Sequence, residues 1–229
     1  MPNSTVYNRA MNTLVVGGTS GLGLSLAKRF VEDGPVWVVG RTDPKIEGLT
    51  FLSLDLTAPK YWDSAAELIK EIPQINRLVY ASGFYQDGRI TDLSTEQIAE
   101  MMNVSFGGAV AFVRAVLSKQ EKLETLVAIT STSQWTPRQR EPIYNAAKAA
   151  LAMFANSLAE DGRIDKVLVA GPAGMKTPFW REIQHADFDQ MNDPDWVAEQ
   201  IVTNLADNYR YREIRILRNP PRVEKHSER

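Results

Sequence analysis

Tyr144 and Lys148 stand four residues apart in Tyr144-Asn145-Ala146-Ala147-Lys148, a spacing that puts a phenol and an ammonium on one face of a helix. A phenol ionises near pH 10 in water, too high for an efficient base at neutral pH. A cation beside it stabilises the phenolate and draws it toward useful acid–base chemistry. Alone, such a pair mostly reflects surface residues of a helix. Upstream lies the hydroxyl-rich stretch Ile129-Thr130-Ser131-Thr132-Ser133. It is either a plain Ser/Thr turn or a source of hydroxyls for a bound oxygen.

A second cluster, Gly17-Gly18-Thr19-Ser20-Gly21-Leu22-Gly23, directly follows the apolar run Thr13–Val16. Glycine there permits positive φ and lets the backbone approach a pyrophosphate. A helix beginning at this turn offers free N–H groups and a favourable dipole to the anion. A glycine cluster by itself is also merely a tight turn. Its place between a strand and a helix, in the first βα unit, favours nucleotide binding.

The elements that must position these groups alternate along the chain. Strands are expected at Thr13–Val16, Val36–Val39, Phe51–Leu54, Leu78–Ala81, Leu126–Ile129, Val167–Ala170 and Ile214–Leu217. Helices are expected over Leu22–Val31, Trp62–Glu71, Thr95–Leu117 (capped by Ser94 or Thr95), Pro142–Leu158 and Pro194–Leu205. Near-continuously apolar strands alternating with helices imply a parallel sheet covered on both faces. The fold class is therefore α/β: a Rossmann-type, doubly wound, mainly parallel seven-stranded sheet in a single domain. Ligands of such sheets bind beyond the carboxyl ends of the strands, where strand order reverses. The candidate residues fall there.

Composition narrows the classes. The chain has 229 residues, 44% hydrophobic and 24% charged, with a net charge of −2; nothing in that balance calls for nucleic acid. Cysteine is absent, which removes disulfides, thiolate nucleophiles and zinc–thiolate sites and suits a reducing cytoplasm. His185 and its neighbours show no metal-ligand spacing. Met1–Met11 is polar, without the apolar core of a signal peptide, and no run of about twenty apolar residues suggests a membrane span. The expected organisation is an N-terminal extension over 1–11, one domain over 12–218 and a charged, mobile tail over 219–229.

The second strand ends in Gly40-Arg41-Thr42. An acid at such a position binds the ribose 2′-hydroxyl of NAD. Here Gly40 leaves out the carboxylate, and Arg41 can grip a 2′-phosphate as a bidentate cation. NADP(H) is the preferred cofactor; Asp43 keeps NAD(H) as the alternative, and an exposed loop arginine is the plain reading.

The spacing GxxxGxG differs from the GxGxxG fingerprint. It resembles the glycine motif TGxxxGxG of the short-chain dehydrogenase/reductase family, with Val16 in the threonine place. Other segments agree with that family in order. Ser131 precedes Tyr144 by thirteen residues, and Asn103 lies in Met101-Met102-Asn103-Val104-Ser105. Ala81-Ser82-Gly83 follows Tyr80, where the family has NNAG, and Gly171-Pro172-Ala173-Gly174-Met175-Lys176-Thr177 resembles its PGxxxT.

The resemblance implies Ser131, Tyr144, Lys148 and Asn103 as the catalytic set. Tyr144 would be the acid–base group, Ser131 the partner of the substrate oxygen, Lys148 the ligand of the nicotinamide ribose, and Asn103 the holder of a relay water. Asn103 also reads as a polar residue at a helix bend, and Ser133 competes with Ser131 if the loop register differs. Gly17, Thr19, Ser20, Gly21, Leu22 and Gly23 would hold the pyrophosphate, Asp55 and Leu56 the adenine, and Ala81, Ser82, Gly83, Pro172 and Thr177 the nicotinamide half. The implied reaction moves a hydride between nicotinamide and a small carbonyl or alcohol. A non-catalytic cofactor-binding regulator or scaffold is the alternative.

Phe84, Tyr85, Phe179 and Trp180 are expected to edge a partly apolar pocket. Arg138 and Arg140 would meet an anionic substrate group or be plain exposed arginines. In the family two long helices pair subunits. Here they include Ala109–Val116 and Ala146–Ala155, and they imply a homodimer or homotetramer.

Overall fold

The alternation of apolar runs and amphipathic segments folds into one sheet with helices on both faces. The computed structural model describes residues 10–180 and 187–229. Its strands are β1 (Thr13–Val16), β2 (Val36–Gly40), β3 (Leu49–Ser53), β4 (Arg77–Tyr80), β5 (Leu123–Ile129), β6 (Ile164–Pro172), β7 (Tyr211–Leu217) and β8 (Arg222–Glu228). The helices are α1 (Gly21–Phe30), α2 (Tyr61–Glu71), α3 (Thr95–Met102), α4 (Gly108–Lys119), α5 (Pro142–Leu158) and α6 (Pro194–Leu205).

Among the described residues the sheet is eight-stranded, in the order β3-β2-β1-β4-β5-β6-β7-β8. Every pairing from β3 to β7 is parallel, and β8 closes the edge antiparallel. Register explains the unbroken apolar runs. Leu14, Leu78, Leu126 and Val167 lie side by side across four strands and face the core layer shared with Ala65, Phe112 and Leu151. Their neighbours Val15, Val79, Val127 and Leu168 face the opposite layer, with Leu26, Phe30 and Ile201. Strands buried on both faces leave no polar side.

Two expectations change. The segment expected as a mobile tail, Asn219–Arg229, contains β8, so the sheet has one strand more than the seven read from the sequence. The charges that suggested solvation bind it to the fold instead. Arg212, 1% exposed, donates to Glu228 and, at 2.8 Å, to Asp207. The N–H groups of Arg210 and Tyr211 both donate to the Arg229 carbonyl at 2.9 Å.

The helix expected over Thr95–Leu117 is interrupted by a π-helical turn, Asn103–Gly107, between α3 and α4. Its start is as expected: Ser94 accepts from the Gln97 N–H and Gln97 reaches back to the Ser94 N–H, a reciprocal cap. The run Thr95–Lys119 is long and apolar enough by length and composition to cross a membrane, but half of its most apolar stretch is buried inside the fold, as in a core helix. It packs instead against α2 and α5.

Candidate active site

Strand order reverses between β1 and β4, so the crevice lies beyond their carboxyl ends. Gly17 opens the turn there with φ +81°, and a Cβ on it would lie 2.6 Å from the Ser82 amide nitrogen. A Cβ on Gly23 would stand 2.1 Å from the Gly17 carbonyl oxygen, so the turn folds directly onto α1. Ser20 caps α1 without a side-chain hydrogen bond, leaving the first-turn N–H groups to another acceptor. A backbone cradle at a helix N-terminus fits a pyrophosphate. Thr177 comes against the same helix start, its Cβ 3.3 Å from where a Gly21 Cβ would stand. Leu22 is buried in the core beneath the turn.

At the end of β2, a Cβ on Gly40 would meet the Thr19 hydroxyl oxygen at 2.4 Å. Glycine is therefore needed to admit Thr19 as well as to omit a carboxylate. Arg41 and Asp43 are exposed, and Asp43 accepts from the Lys45 N–H at 2.8 Å. Asp55, just past β3, accepts from the N–H and hydroxyl of Thr57 at 2.9 and 2.8 Å. The Thr57 N–H, followed by its hydroxyl and the nearby Arg41 charge, holds the Asp55 carboxyl below the usual carboxylate range, against a smaller opposing effect of burial. Leu56 turns into the core.

Past β4, the Ala81 N–H donates to the Val16 carbonyl at 2.8 Å, so β1 and β4 deliver their loops together. Lys148, 3% exposed, reaches from α5 to the ends of β4 and β5; its Nζ donates to the Ile129 carbonyl at 3.1 Å and to that of Ser82 at 3.5 Å. A Cβ on Gly83 would lie 3.4 Å from that nitrogen. Burial lowers the Lys148 ammonium to about 8.

Tyr144 sits one turn earlier on α5, buried, with the Lys148 nitrogen 5.8 Å from its ring centre. Burial pushes its phenol up; hydrogen bonding with Ser131 and the Arg138 charge pull it down, while Glu141 pushes it further up. The sequence led us to expect a lowering by Lys148. Loss of solvation wins instead, with the ammonium spent on two carbonyls. A neutral phenol is what a proton donor needs.

Ser131 precedes a short 3₁₀ turn, Thr132–Gln134. Its hydroxyl donates to the Ser133 Oγ at 3.2 Å and accepts from the Ser133 N–H at 3.1 Å. The two serines differ in their partners. Ser133 is buried on Glu141 and Arg138, whereas Ser131 is the hydroxyl that acts on Tyr144. Asn103 begins the π turn and accepts from the Tyr61 hydroxyl at 3.4 Å; its side chain is bonded to α2 rather than to Lys148.

The four aromatics expected at the rim gather around the phenol. Tyr85 meets Tyr144 edge-on with ring centres 5.3 Å apart, and Phe179 lies 6.1 Å from both. Trp180 packs on Tyr85 and Phe179, and Phe84 joins the same cluster. Both loop arginines are exposed and spent within the chain: Arg138 on Glu141 at 3.0 Å, Arg140 on Asp87 at 2.5 Å and on Asp92 at 3.8 Å. Glu141 and Tyr61 are absent from the sequence reading. Glu141, one helical turn before Tyr144, carried a readable signal; Tyr61 carried none. Pro172 ends β6, buried. Among the described residues no three His, Cys, Asp or Glu side chains group to hold a metal; His185 lies outside them.

Two hydroxyls and a buried ammonium thus meet beside a glycine-lined anion cradle, an arrangement able to protonate an oxygen next to a bound dinucleotide. Comparison with known proteins agrees. The family model for short chain dehydrogenases matches residues 11–187. An uncharacterized oxidoreductase of Staphylococcus epidermidis is 26% identical over 180 residues, spanning 72% of this chain and 78% of the relative. An NADP-dependent (R)-specific alcohol dehydrogenase of Lentilactobacillus kefiri is 24% identical over 193 residues, spanning 76% and 77%. A short-chain dehydrogenase from Sphingobium yanoikuyae, solved with NADPH, superposes with a TM-score of 0.76 at 20% identity, covering 85% of this chain and 84% of that one.

Proposed function

The chain belongs to the short-chain dehydrogenase/reductase family, whose members are oxidoreductases that act on alcohol or carbonyl groups with NAD(P), and from that premise we propose that it is an NADP(H)-dependent reductase of a small carbonyl compound with Tyr144 as its proton donor. One observation carries the reading: the Ser131 hydroxyl acts on a buried Tyr144 phenol, with Lys148 one turn further along α5.

Gly17, Thr19, Ser20, Gly21 and Gly23 would hold the pyrophosphate on backbone N–H groups at the start of α1, with Leu22 packing the turn from below. Asp55 and Leu56 would flank the adenine; Ala81, Ser82, Gly83, Pro172 and Thr177 would frame the nicotinamide half. Arg41, with Gly40 in the acid's place, would pair with a 2′-phosphate. The NADP-dependent relative and the NADPH-bound neighbour support that preference.

Bound in this crevice, the nicotinamide supplies the hydride for the new C–H bond. Ser131 donates a hydrogen bond to the substrate oxygen as charge gathers there. Tyr144, kept neutral by burial, gives that oxygen its proton and completes the alcohol. Lys148 would anchor the nicotinamide ribose, and once drawn from its two carbonyls would bring positive charge toward the Tyr144 oxygen. Asn103 would hold a water between Lys148 and solvent. In the reverse direction each proton transfer runs backwards.

The same reading makes the protein a homodimer or homotetramer paired through α4 and α5. Between these helices an open groove of about 230 Å³ is lined by Val110, Val113, Leu117, Phe154 and Leu158, with Arg114, Ser118 and Arg163 also bordering it; Met153 on α5 is 64% exposed. An apolar face of this kind suits a second copy of the chain.

A panel of aldehydes, ketones and enones, followed by NADPH absorbance with the wild type and Tyr144→Phe, tests the proposal. Turnover on at least one substrate, reduced about 10²–10⁴-fold in Tyr144→Phe with NADPH affinity kept, is the expected outcome. Cofactor binding without turnover across the panel would favour a regulator or scaffold. Undiminished turnover in Tyr144→Phe would remove Tyr144 as proton donor.

A further inference from the structure

Glu141 is the first charged group met on leaving the catalytic phenol along its own helix. It caps α5 three residues before Tyr144, with a side chain only 15% exposed. Its Oε2 accepts from the Ser133 hydroxyl at 2.9 Å and from Arg138 at 3.0 Å. Arg138 also donates to the Ser133 Oγ at 2.5 Å. Ser133 has a single hydroxyl proton, and Glu141 takes it. Toward Ser131 it can then only accept, as it does at 3.2 Å. Glu141 therefore settles the Ser133 side of the pair and holds the Ser131 oxygen in place, while the one Ser131 proton stays hydrogen-bonded to Ser133 until a substrate oxygen draws it away.

The same carboxylate and its guanidinium partner act on Tyr144 in opposite senses. Among the described residues the other charged groups nearby are committed elsewhere. On α5, Lys148 is bonded to the Ile129 and Ser82 carbonyls. In the loop after β4, Asp87 faces Arg140 and the Tyr85 hydroxyl, and Asp92 pairs with Arg140. The turn at Pro178–Trp180 brings only aromatic rings to the phenol. Glu141 and Arg138 are thus the balanced ionic pair to which Tyr144 responds.

We propose that Glu141 is a positioning residue for the reaction, holding the Ser131 oxygen in place through Ser133 and, opposed by Arg138, setting the electrostatic field at the Tyr144 oxygen. The inference rests on the reading of Tyr144 as proton donor. With the carboxylate in place the phenol stays neutral, which suits reduction. Neutralising Glu141 leaves Arg138 unopposed and eases phenolate formation, so the neutral proton donor is lost at a lower pH.

The test uses the full-length protein as wild type, Glu141→Gln, Glu141→Asp, Arg138→Gln and Ser133→Ala. Two quantities are read against pH: NADPH turnover on a substrate from the panel, and phenolate absorbance as the difference between each protein and its Tyr144→Phe counterpart. Glu141→Gln should ionise Tyr144 about one pH unit lower than the wild type and lose reductive turnover correspondingly earlier as pH rises. Arg138→Gln should move the onset upward, and Glu141→Asp should restore it. Ser133→Ala should lower kcat roughly tenfold with KM little changed, because Ser131 matters most as charge develops.

No shift in either charge variant, or shifts in the same direction, would overturn the proposal. If Glu141→Gln does not fold, Arg138→Gln decides by itself: an upward shift supports the coupling and none overturns it. Wild-type turnover in Tyr144→Phe would defeat the proton-donor reading separately, because the difference titration does not depend on catalysis.

Discussion

The hydroxyl of Tyr80, at the end of β4, donates to the Val104 carbonyl at 2.6 Å. Val104 belongs to the π turn, where the widened backbone disturbs the regular i to i−4 ladder. The phenol reaches it because Gly108 has no side chain: a Cβ there would stand 2.3 Å from the Tyr80 oxygen. A bulky residue where the family has asparagine thus supports the turn that carries Asn103. Tyr80→Phe should leave that buried carbonyl without its hydroxyl donor and cost about 1–3 kcal/mol. A lower urea midpoint at unchanged slope is the result to look for; an unaltered midpoint would mean the bond contributes nothing.

Arg41 governs the choice of cofactor in the proposed reading. Arg41→Ala should weaken NADPH binding about 10–100-fold, the equivalent of losing charge-assisted hydrogen bonds, and leave NADH binding nearly as it was. Calorimetry with both cofactors checks this. Equal losses for the two would point to a general disturbance of the β2 exit rather than to recognition of a 2′-phosphate.

Lys148 makes stability depend on pH. In the folded chain its ammonium gives up its proton near 8 because it is buried, against 10.5 for a solvated lysine. Between those values the unfolded chain binds more protons, so stability rises with pH through that window. The rise amounts to roughly 3 kcal/mol. Above about pH 10 the buried tyrosines Tyr144 and Tyr209, whose phenols are pushed up by burial, reverse the slope, because the folded state then holds more protons. Denaturant midpoints taken from pH 7 to 10 should climb for the wild type and stay flat for Lys148→Met. A flat wild-type curve would rule out the buried ammonium as its cause.

The C-terminal strand is expected to contribute to the fold. Truncation after Arg218 removes Glu228 from the 1%-exposed Arg212 and frees the edge of β7. Arg212 keeps Asp207 as a partner, so the loss of its second carboxylate together with the β7–β8 ladder should lower the melting midpoint by several degrees. Thermal melts of the truncated and full chains check this. Equal midpoints would return the segment to the mobile tail suggested by its charge.

Local rules settled much of this protein from its residues in order. Buried strands must be apolar on both sides, so Leu14-Val15-Val16 and Leu78-Val79-Tyr80 announced a parallel sheet. Proline in the first turn placed the starts of α5 and α6 at Pro142 and Pro194, because its missing N–H costs nothing there. The glycine turn was legible because Gly17 and Gly21 take positive φ and Gly23 packs on the Gly17 carbonyl, all within seven residues.

What depended on distant parts of the chain was not legible. Arg222–Glu228 reads as a solvated charge run until Arg212 and Asp207 lie beneath it. A single lysine four residues from a tyrosine suggests a lowered phenol, yet burial of both by other elements decides the direction. Glu141 becomes a partner of Ser133 only when the loop between them closes. Sequence fixes which groups are available and on which helix face they fall. Solvation and orientation are set by what packs around them, so only the tertiary structure could decide those.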